Sequence, residues 1–230
     1  MNNICFVVSG PSGSGKNTLI DYLLEENKDL VHSVSATSRS PRPWEKDGVH
    51  YYFKERAEFE RMRDNGELLE WDEFRGNYYG TVVADVENKL GEGKNVAFDI
   101  TVPGAKNVRR IFGERATTVF LIPPSIKTLR KRLIDRKGDD EDTINKRIEF
   151  AMATELMQFD DFMYVIVNDD LTDTKKKISV IYNASLLRGI PENELTEDEA
   201  AIISAADKFR VENCKDDVLK IINELRNEDD

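Results

Sequence analysis

The stretch Gly10-Pro11-Ser12-Gly13-Ser14-Gly15-Lys16 constrains this chain more than any other. It follows a short apolar run, Ile4–Val8, and precedes "NTLIDYLLEEN", where Leu19, Ile20, Leu23 and Leu24 recur at helical spacing. An apolar strand, a glycine-rich turn and a helix make the opening unit of an α/β fold. Glycines at this spacing let successive backbone N–H groups turn inward around phosphate oxygens, and the helix that follows presents its positive end to them. A lysine at the end of the loop reaches the β- and γ-phosphates, and the next residue ordinarily offers a hydroxyl to Mg2+. Here that residue is Asn17, whose amide oxygen can still coordinate a hard cation directly or through water. Thr18 reads as a helix residue more than as a replacement ligand.

The remaining pattern extends the same fold class. "NVAFDI" and "TTVFLIPP" suit central parallel strands, and "YVIVNDD" a last short one. Helical periodicity recurs in "VVADVENKLGEG", "SIKTLRKRLIDR", "DDEDTINKRIEFAMATELMQF" and "LTDTKKKISVIYNASLLR". The region before "VVADV" differs. "SPRPWEKDG", "YYF", "LLEW" and "GNYYG" predict short strands and turns, with one helix near Arg56–Asn65, and so a small inserted lobe.

A chain of 230 residues is long enough for one core with small insertions. Its net charge of −11 argues against non-specific attraction to nucleic acid or an anionic membrane. The stretch from Pro191 to Asp230 carries 13 acids and 5 bases, so most of the excess lies there. Any anionic substrate must therefore be held by local basic clusters elsewhere. Two cysteines, Cys5 and Cys214, imply no disulfide framework. The N-terminal residues lack the pattern of a signal peptide, and no run approaches the ~18 apolar residues of a membrane span, so a cytoplasmic location is expected. His32 and His50 have neither metal-ligand spacing nor a catalytic partner in the sequence.

Beyond the loop, "VSATSRSPRPWEKDGVHYYF", "GELLEWDEFRGNYYGT", "VFLIPPS", "LRKRLIDR" and "VNDDL" appear in order. This array resembles guanylate kinases from Gly10 to Leu171, and more weakly to about residue 187. The resemblance implies a P-loop, three-layer α/β parallel-sheet core (1–32, 84–125 and 149–188). Into it are set a monophosphate-binding lobe (33–83) and a helical lid (126–148). Residues 189–230 form an acidic helical extension that the resemblance does not cover. The implied reaction moves the γ-phosphoryl group of ATP to GMP or dGMP with Mg2+, in a monomer or homodimer.

The resemblance assigns the loop residues Gly10, Ser12, Gly13, Ser14, Gly15, Lys16, Asn17 and Thr18, with Asn168, to ATP. Ser35, Arg39, Arg42, Tyr51, Glu70, Tyr79, Thr81, Asp99 and Thr101 fall to GMP, and Asn17 with Asp99 to the metal. Lys16, Arg132, Arg136 and Arg147 are the implied catalytic cations. Several of these roles have an independent physical basis. Arg39 and Arg42 can face one anion, and guanidinium forks suit phosphate oxygens. A carboxylate at Glu70 accepts two N–H bonds from the N1–N2 edge of guanine, a pattern that adenine lacks. Arg132 and Arg136, four residues apart, share a helix face. In isolation, each arginine would read as a solvated turn or helix residue, and each tyrosine as packing.

Two departures stand out: Asn17 after the lysine, and Thr101 where the family pattern Asp-x-Asp has a second carboxylate. Thr101 keeps an acceptor but loses charge, which predicts a weaker grip on the base, since hydrogen bonds to ions are about twice as strong as neutral ones. Three functions share these residues: an active guanylate kinase, a kinase for another monophosphate, and a non-catalytic nucleotide- or protein-binding domain. The intact glycines, Lys16 and lid arginines favour catalysis. In the extension, Ala200, Ile203 and Ala206, then Val218, Ile221, Ile222 and Leu225, form apolar stripes expected to pack on the core in preference to a partner.

Overall fold

The computed structural model describes residues 3–74, 76–135 and 140–227. Strand β1 (Cys5–Ser9) and helix α1 (Lys16–Glu26) flank the glycine loop, and β2 (Leu30–His32) follows. A separate unit then forms from β3 (Ser35–Thr37), β4 (Tyr52–Phe53), α2 (Arg56–Asp64), β5 (Leu68–Phe74) and β6 (Asn77–Val82). The chain returns through α3 (Val83–Gly91), β7 (Asn95–Asp99), α4 (Val102–Phe112) and β8 (Ala116–Ile122). It continues with α5 (Ile126–Asp135), α6 (Glu141–Phe150), β9 (Tyr164–Val167) and α7 (Leu171–Leu186). Helices α8 (Glu197–Asp207) and α9 (Val211–Asn227) close the described chain.

The main sheet runs β2-β7-β1-β8-β9, with each neighbouring pair parallel. Helices cover both faces, which is why β1 is buried throughout and apolar on both sides. Strand alternation sorts its residues. Phe6 and Val8 pack with Leu19, Ile20 and Leu23 of α1 and Ile178, Ile181 and Tyr182 of α7. Cys5 and Val7 pack on the opposite face with Val108 of α4 and Phe98 and Phe120 of neighbouring strands. Burial pushes the Cys5 thiol up to about 12, against a smaller opposing effect of Arg115, so it stays protonated and unreactive.

The second sheet runs β4-β3-β6-β5, with β6 antiparallel to both of its neighbours. Its core is small: Ala36, Phe59 and Tyr78, the two rings stacked at 5.3 Å. Arg56 lies 4.3 Å from the Tyr78 ring centroid and donates to its hydroxyl at 2.7 Å.

Two local features differ from the sequence expectation. The long helix expected through "DDEDTINKRIEFAMATELMQF" ends as regular α-helix at Phe150, continues as a π-helical turn, Ala151–Glu155, and tightens to a 3-10 turn, Leu156–Asp161. Helix α4 was not legible beforehand, because Pro103 and Gly104 read as breakers. Proline is tolerated in a first turn, and the Thr101 hydroxyl caps that turn by accepting from the Gly104 N–H at 3.4 Å.

The extension straddles one edge of the main sheet. Ala206 of α8 joins the α1–α7 face, whereas Val218, Ile222 and Leu225 of α9 join the α4 face. Between the helices the chain runs along β9. The Val165 N–H donates to the Phe209 carbonyl at 2.9 Å, and the Val211 N–H to the Met163 carbonyl at 3.1 Å. A sheet edge that would otherwise present free backbone groups is thereby covered. Among the described residues, no helix is long and apolar enough to cross a membrane.

Candidate active site

A cavity of about 490 Å³ opens at the C-terminal ends of β1 and β7, with the second sheet opposite. One wall is the glycine loop. Gly15 has φ 104°, and a β-carbon there would lie 2.4 Å from the Asn168 side-chain nitrogen, so only glycine fits the turn into α1. Asn168, just after β9, donates from Nδ2 to the Ser14 carbonyl at 2.7 Å. Arg132 of α5 donates to the same carbonyl at 3.2 Å and to the Asn168 carbonyl at 3.4 Å. Arg147 of α6 donates to the Ser12 hydroxyl at 2.9 Å.

Lys16 bends back over the loop, donating to the carbonyls of Gly10 at 2.9 Å and Pro11 at 3.2 Å, with Asp99 at 3.8 Å. Two buried polar atoms here, Ser14 Oγ and Asn168 Oδ1, have no hydrogen-bond partner among the described residues. A further cavity of about 240 Å³ lies outside the loop, lined by Gly13, Gly15, Thr18, Arg132 and Asn168.

The facing wall carries Ser35, Tyr51, Glu70 and Tyr79. Glu70 of β5 accepts from the Thr81 hydroxyl at 2.9 Å. Burial pushes the Glu70 carboxyl above its usual range, and the bonds from Thr81 partly offset this. Its stem rests on the first turn of α4: a β-carbon at Gly104 would lie 2.7 Å from the Glu70 Cγ. Thr101 is exposed at the same helix start and lines the cavity with Asp99 and Asn17.

The two arginines expected at the acceptor are arranged differently. Glu45 takes Arg39 bidentately at 2.8 and 2.9 Å and also accepts from the Arg42 backbone N–H at 2.7 Å. Its side chain is only 2% exposed, and the Arg39 fork holds its carboxyl down at about 2. The Arg39 guanidinium sits 5.4 Å from the ring centroid of Tyr51, which lines the cavity, but does not itself line it. Arg42 is exposed, lies 5.8 Å from the Trp44 ring centroid and does not line the cavity. Arg136 lies outside the described residues.

Three contributors escaped the sequence reading. Glu45 sits in the arginine loop, and its spacing of three from Arg42 was the available signal. Gly104 matters through a contact with a residue 34 positions away, which no local pattern reveals. Glu155 projects from the π-helical turn into the cavity; burial raises its carboxyl, while the charges of Lys16 and Arg147 pull it back.

The donors suit the groups that such a site would take. Asn17 and Asp99 place an amide oxygen and a carboxylate on one wall, the hard-oxygen set that Mg2+ accepts alongside phosphates and water. The unpartnered Ser14 and Asn168 atoms beside the loop fit a bound nucleotide as their missing partner.

Comparison with known proteins identifies the family. The family model for guanylate kinase matches residues 3–185. The curated guanylate kinase of Bacteroides thetaiotaomicron is 46% identical over 179 residues, covering 76% of this chain and 86% of its own. That of Bartonella henselae is 42% identical over 183 residues, covering 80% and 82%. The crystal structure of guanylate kinase from Anaplasma phagocytophilum superposes with a TM-score of 0.61 at 31% identity, covering 86% of this chain and 95% of that one. A family match over most of the chain, several relatives above 40% identity and a shared fold lead to one conclusion: this chain belongs to the guanylate kinase family, the ATP-using phosphotransferases that act on nucleoside monophosphates.

Proposed function

We propose that the chain transfers the γ-phosphoryl group of ATP to GMP or dGMP, giving ADP and GDP or dGDP. The observation that carries this reading is the single cavity with a phosphate loop on one wall and a purine-reading carboxylate, Glu70, on the other. We also assign residues 33–83, which carry the Glu70 wall, as the lobe and residues 126–148 as the lid that close over the two nucleotides.

Phosphoryl transfer asks little covalent chemistry of the protein; it asks for alignment and for positive charge where negative charge spreads. The loop N–H groups and the start of α1 hold the donor phosphates. Lys16 exchanges its bonds to the Gly10 and Pro11 carbonyls for phosphate oxygens. Arg147, now on the Ser12 hydroxyl, is positioned to reach the transferred group. Arg132 and Asn168 brace the Ser14 carbonyl and so keep the loop amides aimed inward. On the acceptor side, Arg39 reaches for the monophosphate together with Tyr51 and Tyr79, while Glu45 fixes the plane of its fork. Glu70, kept in place by Thr81 and Gly104, accepts from the guanine edge. Mg2+, held by Asn17 and Asp99, would neutralise charge on the β- and γ-oxygens.

Thr101 supports a second reading, a broadened choice of monophosphate, because its hydroxyl already caps α4 and brings no charge to the base. A coupled assay with ATP, Mg2+ and GMP, dGMP, IMP and AMP tests both. The first expects kcat/KM for GMP to exceed that for AMP by several orders of magnitude, and comparable values would favour the second. No turnover with any monophosphate, from a chain that binds GMP and ATP by calorimetry, would leave a nucleotide-binding module.

A further inference from the structure

On the far side of the main sheet from the active site, a cavity of about 390 Å³ lies at the seam with the extension. Arg115, Arg188 and Arg210 all line it, with Glu114 as its acidic member. Arg188 and Arg210 fall beyond residues 3–185, the span that matches the family. We propose that this cavity binds a phosphate group, free or as a phosphomonoester, and that the extension builds the site.

Three observations carry the proposal. The first is a shortage of counter-ions in an acidic protein of net charge −11. The half-buried Arg188 donates from Nη1 to the carbonyls of Glu114 and Ala116, both at 3.0 Å, and from Nη2 to the Met163 sulfur at 3.0 Å. A thioether is a weak acceptor, and among the described residues Arg188 has no carboxylate at ion-pair distance. Arg115 has no hydrogen bond or ion pair among them; its guanidinium lies 5.6 Å from the Phe112 ring centroid. Glu114 is exposed, and Arg210 has its own partners in Asp207 at 2.6 Å and Glu212 at 4.0 Å. Two guanidiniums are left facing the cavity against one solvated carboxylate.

The second observation is electrostatic. Burial pulls the Arg188 pKa down and the charge of Arg210 adds to this, while Tyr164 and the Glu114 carboxylate offset only part of it. An oxyanion between Arg115 and Arg188 supplies the remaining compensation, and guanidinium forks match phosphate geometry. The third is rigidity. Arg210 is fixed by its pairing with Asp207, by the Tyr164 ring 5.2 Å away and by the backbone bonds of its neighbours to β9. Arg188 is fixed by two carbonyls at the start of β8. The Arg188 and Arg210 side of the cavity is therefore preorganised, Arg115 closes on the anion from the exposed rim, and the volume suits a phosphate or a small ester of it.

Calorimetric titration of inorganic phosphate, and separately of glycerol 2-phosphate, tests this at constant ionic strength. The full chain is used with GMP and a non-hydrolysable ATP analogue saturating the kinase site, so that phosphate cannot register there. One saturable site is expected, weakened roughly tenfold or more in Arg188→Met and in Arg115→Gln, as loss of a charge-assisted pair requires. Arg115 is exposed, so its variant decides the matter even if Arg188→Met does not fold. Tighter binding of one probe identifies whether free phosphate or a phosphomonoester is the ligand. Absence of saturable heat in the parent chain, or equal affinity in Arg115→Gln, overturns the proposal.

Discussion

The donor wall and the acceptor wall are built to different standards. The glycine loop belongs to a sheet whose two faces are covered by extensive cores, and its Ser14 carbonyl is gripped by Asn168 and Arg132 from two other elements. The acceptor wall stands on a four-stranded sheet whose own cluster is Ala36, Phe59 and Tyr78, joined to the main core through Leu69 and supplemented by surface ion pairs such as Arg61 with Glu58 and Glu67. Exposed pairs of that kind contribute ~0–1 kcal/mol each. One wall is thus part of the main core, and the other rests largely on a smaller cluster of its own, the kind of region that opens locally at lower free energy. A kinase that must admit two nucleotides and then exclude water has use for that asymmetry.

The largest expected effect sharpens the contrast. Lys16→Met should lower kcat by about 10³-fold, the scale of losing one transition-state donor, with no change in melting temperature. A fall of several degrees would show that the donor wall is not independent of its lysine. Phe59→Ala, in the lobe core, should cost about 3–5 kcal/mol. We expect calorimetry to lose GMP binding while ATP binding and the main unfolding transition persist. Loss of both ligands in one cooperative transition would break the comparison.

Glu70→Gln should reduce kcat/KM for GMP roughly 30–150-fold, or about 2–3 kcal/mol, by leaving guanine donors unpaired. Its stability should be equal or higher, because burial disfavours the native charge. The pH dependence follows from sign. A carboxyl raised in the folded state loses its charge early on acidification, so KM for GMP should climb while the pH is still above the usual glutamate range. That climb should be absent in Glu70→Gln. Stability moves the other way at this residue, the penalty being relieved as pH falls through the folded pKa. Glu45, held at about 2, instead supports the arginine loop above the usual glutamate pKa, and that support fades as pH falls toward 2.

Gly104→Ala should raise KM for GMP by about tenfold, since the new β-carbon displaces Glu70, while KM for ATP stays put. Helix propensity favours alanine over glycine by about 1 kcal/mol, so a drop in GMP affinity without loss of melting temperature would identify positioning as the cause. The smallest effect concerns Asn17→Ser, for which Mg2+-dependent turnover should rise or stay level. A large fall would mark the asparagine as an adapted ligand.

Much of this was readable in advance where the cause is local. The strand–loop–helix around Lys16 follows from apolar spacing and glycine placement, and the order of motifs gives the family. Helix α4 and the π-helical turn were not readable, because Pro103 and Gly104 look like breakers and a widened turn has no distinct periodicity. The same division holds in the extension. Its stripes at Val218, Ile222 and Leu225 announce a buried face, but nothing in them says that α8 and α9 would take opposite faces of the sheet.

The sequence by itself determined the phosphate loop, the alternation of strands and helices and the inventory of charged side chains. Short-range sterics and periodicity decide those, and they are written within a few residues of each position. Only the tertiary structure decided that Gly104 lies under Glu70, that Glu45 claims Arg39, that Glu155 enters the cavity and that Arg115 and Arg188 line one cavity. Such contacts depend on how whole elements pack to bury apolar surface, and packing brings together residues whose spacing along the chain carries no trace of the meeting.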